Sequence, residues 1–265
     1  MTPFDYVRPT TLVGAIEALR ELEDARPIAG GMTLIPTLKQ GLAAVGTLVD
    51  LAHIDELYGV RRQEQAIEIG AMTRHYDVAH STIVRDLLPG LATLANGIGD
   101  LQVRNRGTIG GSVANNDPAA DYPAALLALA ATIVTDRREI SADDFFVGMF
   151  ETALEPDEVV TAIRFPTDRR SAYAKFNNPV SGYAIAGVFV ADGDPSGPRV
   201  AVIGAGAVVF RATAIEAGLA AGGGAHEARS IKWPVDGLIT DLHAPAAYRA
   251  QLVSVLAARA VEKLI

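Results

Sequence analysis

Apolar residues near the start of the chain recur first at helical and then at strand spacing, which predicts an α/β unit. After Thr11, a helix-capping residue type, leucine, isoleucine and alanine recur with the helical period. Short apolar runs predict strands at 26–29 and 47–51. Pro36 suits the first turn of a helix that ends near Gly41, so a strand leads directly into a helix here.

Beyond this unit the pattern mixes alternation with helical runs, which predicts an α+β region with a mainly antiparallel sheet. Alternating or short apolar runs predict its strands at 66–71, 133–135, 159–165 and 172–176. Helices are predicted at 76–80 and 83–96, and the segment 121–131, rich in alanine and leucine, predicts a third.

The pattern changes again near Lys175, where a smaller domain is predicted to begin. Two long apolar runs joined by a turn rich in glycine and proline predict a hairpin of strands 183–191 and 199–209. Helices are predicted at 212–221 and 246–265. We therefore expect one domain of residues 1–174, with lobes of about 1–55 and 56–174, and a second of residues 175–265.

Two glycine pairs, each after an apolar run, are the most informative feature of the sequence. Gly30-Gly31 is followed by Thr33, and Gly110-Gly111 lies between Thr108 and Ser112. Glycine lets backbone N–H groups approach an anion closely, because it has no Cβ and adopts positive φ at little cost. Two such loops suggest one ligand with two phosphates held from both sides, and a dinucleotide is the natural candidate.

The composition argues against nucleic-acid binding and excludes cysteine-based sites. The chain has 265 residues, a net charge of −8 and no basic cluster, which argues against nucleic-acid binding. It has no cysteine, which excludes thiolate-held zinc, iron–sulfur clusters and a cysteine nucleophile in this chain. The absence of cysteine and of a secretory signal favours a cytoplasmic location. No apolar run approaches the roughly 20 residues of a membrane span.

Other candidate motifs point to structure instead of chemistry. Gly204 and Gly206 follow an apolar run, but Val209 stands where a dinucleotide fingerprint needs its third glycine. The spacing of His75 and His80 does not place them on one helix face, so no metal site is expected and both are interpreted as surface or cap residues.

Asp117 and Asp121 are open to three interpretations. Two carboxylates four residues apart could bind Mg²⁺ or transfer protons. They could also cap a helix and complement its dipole, which suits Asp117 best. A carboxylate could instead accept hydrogen bonds from a ribose or ribitol hydroxyl, and this interpretation suits Asp121.

The sequence around both glycine pairs resembles the FAD-binding medium subunits of the molybdenum hydroxylases, most closely the aerobic carbon monoxide dehydrogenase type. The resemblance covers nearly the whole chain. Residues 29–36, 102–112 and 116–121 carry it, and the segment from Gln102 to Ser112 is the most specific part. Met32 departs from the pattern, since many relatives have a polar residue there.

The resemblance implies a fold and a site. The fold would be α+β, a two-lobed FAD-binding domain of the vanillyl-alcohol oxidase (PCMH) type with a small C-terminal domain of antiparallel sheet and helices. The two loops would hold the pyrophosphate, Asp121 would accept from a cofactor hydroxyl, Lys175 would stabilise an anionic reduced ring, and Tyr183 would lie near the ring face. The full set of implied FAD contacts is Ile28, Ala29, Gly30, Gly31, Met32, Thr33, Leu34, Ile35, Ile98, Thr108, Ile109, Gly110, Gly111, Ser112, Asp121, Val160, Lys175 and Tyr183.

The function implied is electron transfer, in which no residue of this chain acts as a general acid or base. FAD would take electrons from [2Fe–2S] clusters of a small partner subunit and pass them to an external acceptor. A large molybdopterin-containing subunit would oxidise the substrate, in a dimer of heterotrimers. Carbon monoxide, aldehydes and N-heterocycles all remain open as substrates. The alternatives are a flavin-free assembly or scaffold subunit and a self-standing flavin oxidase.

Overall fold

The N-terminal region of the computed structural model, which describes residues 2–264, is a small parallel α/β unit. Its sheet has the strand order β1-β3-β2, with both pairs parallel. The predicted cap is confirmed, because the Thr11 hydroxyl accepts from the Gly14 N–H at 3.2 Å. The elements are β1 (Asp5–Val7), α1 (Leu12–Glu21), β2 (Ala25–Ile28), α2 (Leu34–Lys39) and β3 (Thr47–Asp50), followed by 3₁₀ turns at Leu51–His53 and Asp55–Leu57.

The middle region is built on an antiparallel sheet of order β4-β5-β10-β6-β7, as the sequence predicts. Its strands are β4 (Val60–Arg62), β5 (Ala66–Gly70), β6 (Thr132–Thr135), β7 (Glu139–Ser141) and β10 (Val160–Pro166), with a separate hairpin of β8 (Phe146–Gly148) and β9 (Glu151–Thr152). Its helices are α3 (His75–His80), α4 (Thr82–Leu87), α5 (Pro89–Asn96), α6 (Leu101–Arg104), α7 (Ile109–Asn115), α8 (Tyr122–Ala128) and α9 (Ala142–Phe145).

One predicted helix of this region is wrong. The segment 83–96 forms two helices, α4 and α5, because Pro89 begins the second one. A residue before proline is pushed out of the helical region, and Leu88 has φ −138° and ψ 65°.

The C-terminal region is a four-stranded antiparallel sheet covered by helices. The sheet has the order β11-β12-β13-β14, and the predicted hairpin is its central pair. Its elements are β11 (Arg170–Asn177), β12 (Ala184–Asp192), β13 (Arg199–Ile203), β14 (Phe210–Arg211), α10 (Thr213–Ala220), α11 (Ala225–Ser230) and α12 (Ala246–Val261). Strand β11 runs through the expected boundary at 174/175. The last predicted helix ends at Val261, and Ile265 lies outside the described residues.

The C-terminal sheet is buried on both faces, which joins it to the middle region. Tyr173 and Phe189 on one face pack into the core of the middle region, while Val188 and Val202 on the other face pack with α12. Strand β12 is therefore a continuous apolar run, as expected for a strand covered on both sides. Strand β13 leads through Gly204 to β14, so the glycines at 204–206 belong to a β connection.

No helix among residues 2–264 combines the length and apolar character needed to cross a bilayer.

Candidate functional site

A cavity of about 590 Å³ lies where the N-terminal, middle and C-terminal regions meet. This volume is within the roughly 300–1,000 Å³ typical of ligand and cofactor sites. Its walls come from the loop after β2, the first turn of α7, the start of β10 and the segment between β11 and β12. The two glycine pairs, eighty residues apart in sequence, face this one space.

The first glycine loop, residues 29–33, presents free backbone donors to the cavity. Within residues 2–264, no oxygen accepts from the five consecutive N–H groups of Gly30 through Leu34. Gly31 has a φ of +71°, which turns the chain so that this row can form. A run of unsatisfied N–H groups in a loop that opens a helix is an anion-binding concavity.

The second glycine loop, residues 107–112, uses its N–H groups internally. The Gly110 N–H donates to the Ala71 carbonyl at 2.8 Å, and the Ser112 N–H donates to the Thr108 carbonyl at 3.0 Å. The Thr108 hydroxyl caps α7 by accepting from the Gly111 N–H at 3.2 Å. The expectation that both loops present bare N–H groups therefore holds for the first loop and not for these positions of the second.

The two loops touch each other, and glycine makes this contact possible. A Cβ on Gly30 would overlap the carbonyl oxygen of Arg106, in the approach to the second loop. A Cβ on Gly111 would lie 3.3 Å from the Ala29 Cβ. Gly110 faces away from the first loop, since a Cβ there would lie 2.5 Å from the Ala71 Cβ.

An ion pair between the buried Glu158 and the exposed Arg138 fixes the wall at the start of β10. The Glu158 carboxylate accepts from Arg138 at 2.8 Å and from the Thr135 hydroxyl at 2.8 Å. The hydrogen bond from Arg138 lowers the pKa of Glu158 to about 2, so this group stays ionised. The Val159 N–H donates to the Asp136 carboxylate at 2.8 Å, which holds the backbone beside Val160 in place.

Asp121 lines the cavity from a buried cluster with Tyr173 and Lys175. The Tyr173 hydroxyl donates to Asp121 Oδ1 at 2.6 Å, and Lys175 Nζ lies 2.9 Å from the same oxygen. Burial raises the pKa of Asp121, while the Lys175 charge and the Tyr173 hydrogen bond act in the opposite direction. Lys175 lies behind Asp121 and does not line the cavity, so direct stabilisation of a reduced ring by Lys175 stays a prediction.

Asp117 also lines the cavity. Its Oδ1 accepts from the Ala119 N–H at 2.8 Å, so it caps the turn before α8 and not the helix itself. Asp121 is the residue at the N-cap position of α8, yet its side chain makes no capping hydrogen bond. The spacing of Asp117 and Asp121 in the sequence did not show that both line a cavity.

Tyr183 reaches the cavity from the C-terminal region. It is half exposed and lines the same cavity as Thr33 of the first glycine loop. Burial and the carboxylates of Asp117 and Asp121 raise the pKa of Tyr183. The segment between β11 and β12 therefore shares the cavity wall with the first loop.

His75 is a cavity residue that the sequence did not reveal. It is only 4% exposed, so its interpretation as a surface or cap histidine is wrong. The backbone N–H of His75 donates to the Gly107 carbonyl at 3.0 Å, and the ring Nδ1 has no hydrogen-bond partner among residues 2–264. Burial lowers the pKa of His75 to about 4, which keeps it neutral at physiological pH. Residues 2–264 contain no group of three His, Cys, Asp or Glu side chains that could hold a metal ion.

The structure brings most of the expected contact residues to the cavity. Those that line it are Ile28, Ala29, Gly30, Gly31, Met32, Thr33, Leu34, Ile98, Thr108, Gly110, Gly111, Ser112, Asp121, Val160 and Tyr183. Three do not. Ile109 is fully buried in the core, Ile35 packs with the cluster around Leu38, and Lys175 lies behind Asp121.

Residues missed by sequence reasoning come from loop and strand ends that only the fold brings together. Ala71 and Met72 follow β5, and Gly99, Asp100 and Val103 surround the start of α6. The position of Ala71 and Met72 directly after a predicted strand, like that of Ala29 after β2, was the available signal.

The residues present fit a ligand that has phosphates at one end and hydroxyls along its length. The first loop offers a row of N–H donors for an anion, and Asp121 offers a carboxylate acceptor on the cavity wall. The remaining wall is largely apolar, with Ile98, Leu154 and Val160 among its residues, as a flat ring system requires.

Comparisons with known proteins agree with this chemistry. The family described as "FAD binding domain in molybdopterin dehydrogenase" matches residues 2–168. The carbon monoxide dehydrogenase medium chain of Afipia carboxidovorans is 36% identical, over 98% of this chain and 96% of its own. The glyceraldehyde dehydrogenase medium chain of Sulfolobus acidocaldarius is 38% identical, over 71% of this chain and 69% of its own.

Solved structures extend the likeness to the C-terminal region. A carbon monoxide dehydrogenase from Hydrogenophaga pseudoflava, which lacks the Mo-pyranopterin moiety of its cofactor, superposes with a TM-score of 0.88 at 35% identity. The match covers 99% of this chain and 98% of that one.

Proposed function

The chain belongs to the family of FAD-binding domains in molybdopterin dehydrogenases, and we propose that it passes electrons from a partner's [2Fe–2S] clusters to an external acceptor. Its cofactor is FAD, and it is an oxidoreductase subunit of the molybdenum hydroxylase class. The observation that carries the proposal is the row of five free N–H groups at a cavity shared by all three regions.

Bound FAD supplies redox chemistry that accepts electrons singly or in pairs, and the protein positions and tunes it. The first glycine loop would donate N–H groups to the pyrophosphate. Gly111 and Ser112 would lie against the same phosphates, and Asp121 would accept from a cofactor hydroxyl. Val160 would contribute backbone contacts, and Ile98 and Tyr183 would flank the ring. These residue assignments are proposals for this chain.

His75 adds no charge to the cavity wall at pH 7, because burial lowers its pKa to about 4. Arg138 and Glu158 hold the backbone at the start of β10, so that wall is set before the cofactor arrives. The chain's own contribution is thus a preformed site, with no proton transfer assigned to any residue.

An assembly with other subunits follows from the same proposal. This chain has no cysteine, so clusters that deliver electrons must belong to another chain. We propose a small [2Fe–2S] subunit and a large molybdopterin subunit as partners, in a dimer of heterotrimers. The relatives named above are called medium chains and act on different substrates, carbon monoxide and glyceraldehyde, so the substrate stays open. The cytoplasmic location stays a prediction.

Flavin release by acid tests the cofactor. Acid precipitation of the purified protein should move all its flavin to the supernatant as FAD, because the chain has no cysteine for a thioether link. His75 lines the cavity, so the same experiment tests a histidyl link. Flavin retained in the pellet, or FMN in the supernatant, would contradict the proposal.

Electron flow is tested by comparing the lone chain with the assembled complex. The lone chain should show no substrate-dependent dye reduction with carbon monoxide or aldehydes. The complex reconstituted with its iron–sulfur and molybdenum subunits should show it, and should lose it when FAD is removed. Substrate-dependent reduction by the lone chain would favour a self-standing oxidase. Full activity of the FAD-free complex would favour a scaffold role.

A further inference from the structure

Two residues of strand β11 converge on Asp121, a carboxylate that lines the cavity. Tyr173 and Lys175 are two positions apart, so their side chains leave the same face of the strand. Both reach Asp121, which lies more than fifty positions earlier in the sequence. Lys175 also donates to the Gly97 carbonyl at 3.1 Å, beside the cavity residues Ile98 and Gly99.

The neighbouring strand is shaped to admit the Tyr173 hydroxyl. Gly187 on β12 pairs with Lys175, and a Cβ on Gly187 would lie 2.5 Å from the Tyr173 hydroxyl oxygen. All the remaining residues of β12 from Ala184 to Ala191 carry a side chain, and all of them are buried. The missing side chain therefore opens space at the place where the hydroxyl reaches Asp121.

The hydrogen bonds to Asp121 are distributed unevenly over its two oxygens. Oδ1 receives the Tyr173 hydroxyl at 2.6 Å and lies 2.9 Å from Lys175 Nζ. Oδ2 receives only Lys175, at 3.1 Å, among the described residues. An ionised carboxylate has about four acceptor sites, so Oδ2 has the greater capacity left for another donor.

Burial makes these partners necessary. The side chain of Asp121 is 5% exposed and that of Lys175 is 7% exposed. A buried carboxylate without partners protonates, and a protonated carboxyl can no longer act as a pure acceptor. Asp121 and Lys175 together carry no net charge. They therefore present a hydrogen-bond acceptor to the cavity and not an isolated cation.

We propose that Tyr173 and Lys175 are positioning residues, which hold Asp121 as a carboxylate so that Oδ2 accepts a hydroxyl of FAD. Lys175 acts on the cofactor through Asp121 and not as an unpaired cation beside the flavin ring. This inference rests on the proposed function. It also links the C-terminal sheet to cofactor binding, because β11 belongs to that sheet.

Removal of one hydroxyl tests the role of Tyr173. Titration of the full chain with FAD, followed by flavin fluorescence, should show about tenfold weaker binding for Tyr173→Phe. Tyr122→Phe is the matched control, because Tyr122 is fully buried and its hydroxyl has no hydrogen-bond partner within residues 2–264. The control should bind FAD as the wild type does. Equal affinities of Tyr173→Phe and the wild type would overturn the inference.

A double-mutant cycle tests whether Tyr173 acts through Asp121. Asp121→Asn should weaken FAD binding, and adding Tyr173→Phe to it should weaken binding no more than twofold further. Residues that act through a shared partner are non-additive, whereas independent contacts add. Additive losses in the double variant would assign Tyr173 a separate structural role. Thermal unfolding of each FAD-free variant shows that it is folded before titration.

The flavin midpoint potential distinguishes the two possible roles of Lys175. Asp121→Asn with Lys175→Met removes a neutral pair, so the double variant should keep a midpoint potential close to that of the wild type. A direct cation at the ring predicts that this double variant and Lys175→Met alone have equally lowered potentials, which would overturn the inference.

The outcomes also separate this inference from the proposed function. If wild-type protein takes up no FAD even with its partner subunits, both fail. If the wild type binds FAD and Tyr173→Phe binds it equally well, only the inference fails.

Discussion

The glycine pairs at Gly30-Gly31 and Gly110-Gly111 have similar sequences and different backbones. The first pair lies in an open loop with a positive φ at Gly31 and five free N–H groups. The second pair lies inside the first turn of a capped helix, where neighbouring oxygens accept its N–H groups. A Gly-Gly sequence thus specifies either free donors or close packing, and the surrounding hydrogen bonds decide which.

This difference assigns separate consequences to substitutions in the two loops. Changes in the first loop should act on FAD affinity, because its donors face the cavity. Changes in the second loop should act on stability, because its atoms pack against β5 and the first loop.

Gly110→Ala should have the largest effect on stability. The added Cβ would lie 2.5 Å from the Ala71 Cβ and 2.8 Å from the Ala71 carbonyl oxygen, so the loop or β5 must move. We expect the free energy of unfolding of the FAD-free protein to fall by about 3 kcal/mol in urea titrations. Gly218→Ala in α10 is the control, because its Cβ would lie 3.3 Å from side-chain atoms of Glu227 and Ile231 and would meet no backbone atom outside its own helix. That change should be neutral or slightly stabilising, and an equal loss in both variants would refute the packing argument.

Low pH should lower the free energy of unfolding through His75, which is buried beside Gly107 of the second loop. The pKa of His75 is about 4 in the folded chain and 6.5 for an ordinary histidine, because burial disfavours its charged form. Between these values the unfolded chain binds more protons than the folded one. His75 therefore does not reduce the free energy of unfolding above pH 6.5. As the pH falls toward 4, this free energy decreases by about 3 kcal/mol in total.

Variants at two histidines isolate this effect. His75→Gln should flatten the dependence of unfolding free energy on pH between 4 and 6.5. His80→Gln is the matched control for loss of a histidine, because His80 lies on the exposed surface, where it contacts Tyr76 of its own helix. The same slope in His75→Gln as in the wild type would show that His75 is not the titrating group.

Gly31→Ala should separate affinity from stability. Gly31 and Gly41 have nearly the same positive φ, +71° and +72°, so alanine at either position costs about 1 kcal/mol of backbone strain. Only Gly31 lines the cavity. We expect Gly31→Ala to weaken FAD binding by about tenfold and Gly41→Ala to leave it unchanged. Gly31→Ala should also lose more stability, because its Cβ would lie 3.1 Å from Ile35 Cγ1, whereas a Cβ on Gly41 would meet nothing within 4 Å. Equal FAD affinities in the two variants would remove the first loop from the site.

Thr108→Val and Thr33→Val should show the smallest contrast. The Thr108 hydroxyl caps α7, so its loss should lower the unfolding free energy by about 1 kcal/mol. Thr33 makes no capping bond to α2, and its replacement should change FAD-free stability by less than about 0.5 kcal/mol. Thermal denaturation of both variants without FAD measures the difference, and a larger loss at Thr33 would reverse the assignment of the two loops.

Local patterns predicted the elements that depend on neighbouring residues. Thr11 capping α1, the alternation of 66–71 and the turn at 192–198 all need only short-range interactions, and all occur in the structure. The break at Pro89 was also local, and could have been expected from the restriction that proline places on Leu88.

The rest of the site depends on contacts that sequence spacing does not encode. Lys175 reaches Asp121, and His75 meets Gly107, only because β11 and α3 pack beside those loops. The pattern around Gly110 could not show that its N–H group is occupied, because the acceptor is the Ala71 carbonyl at the end of a distant strand.

Binding of the FAD phosphates by the free N–H groups of the first loop is the interaction on which the proposed site depends. It is tested most directly by titrating the FAD-free full chain with FAD and with riboflavin, which lacks phosphate. We expect one FAD per chain and at least about a hundredfold weaker binding of riboflavin, because charge-assisted hydrogen bonds contribute about 1.5–3 kcal/mol each. Equal affinity for the two flavins would contradict the claim.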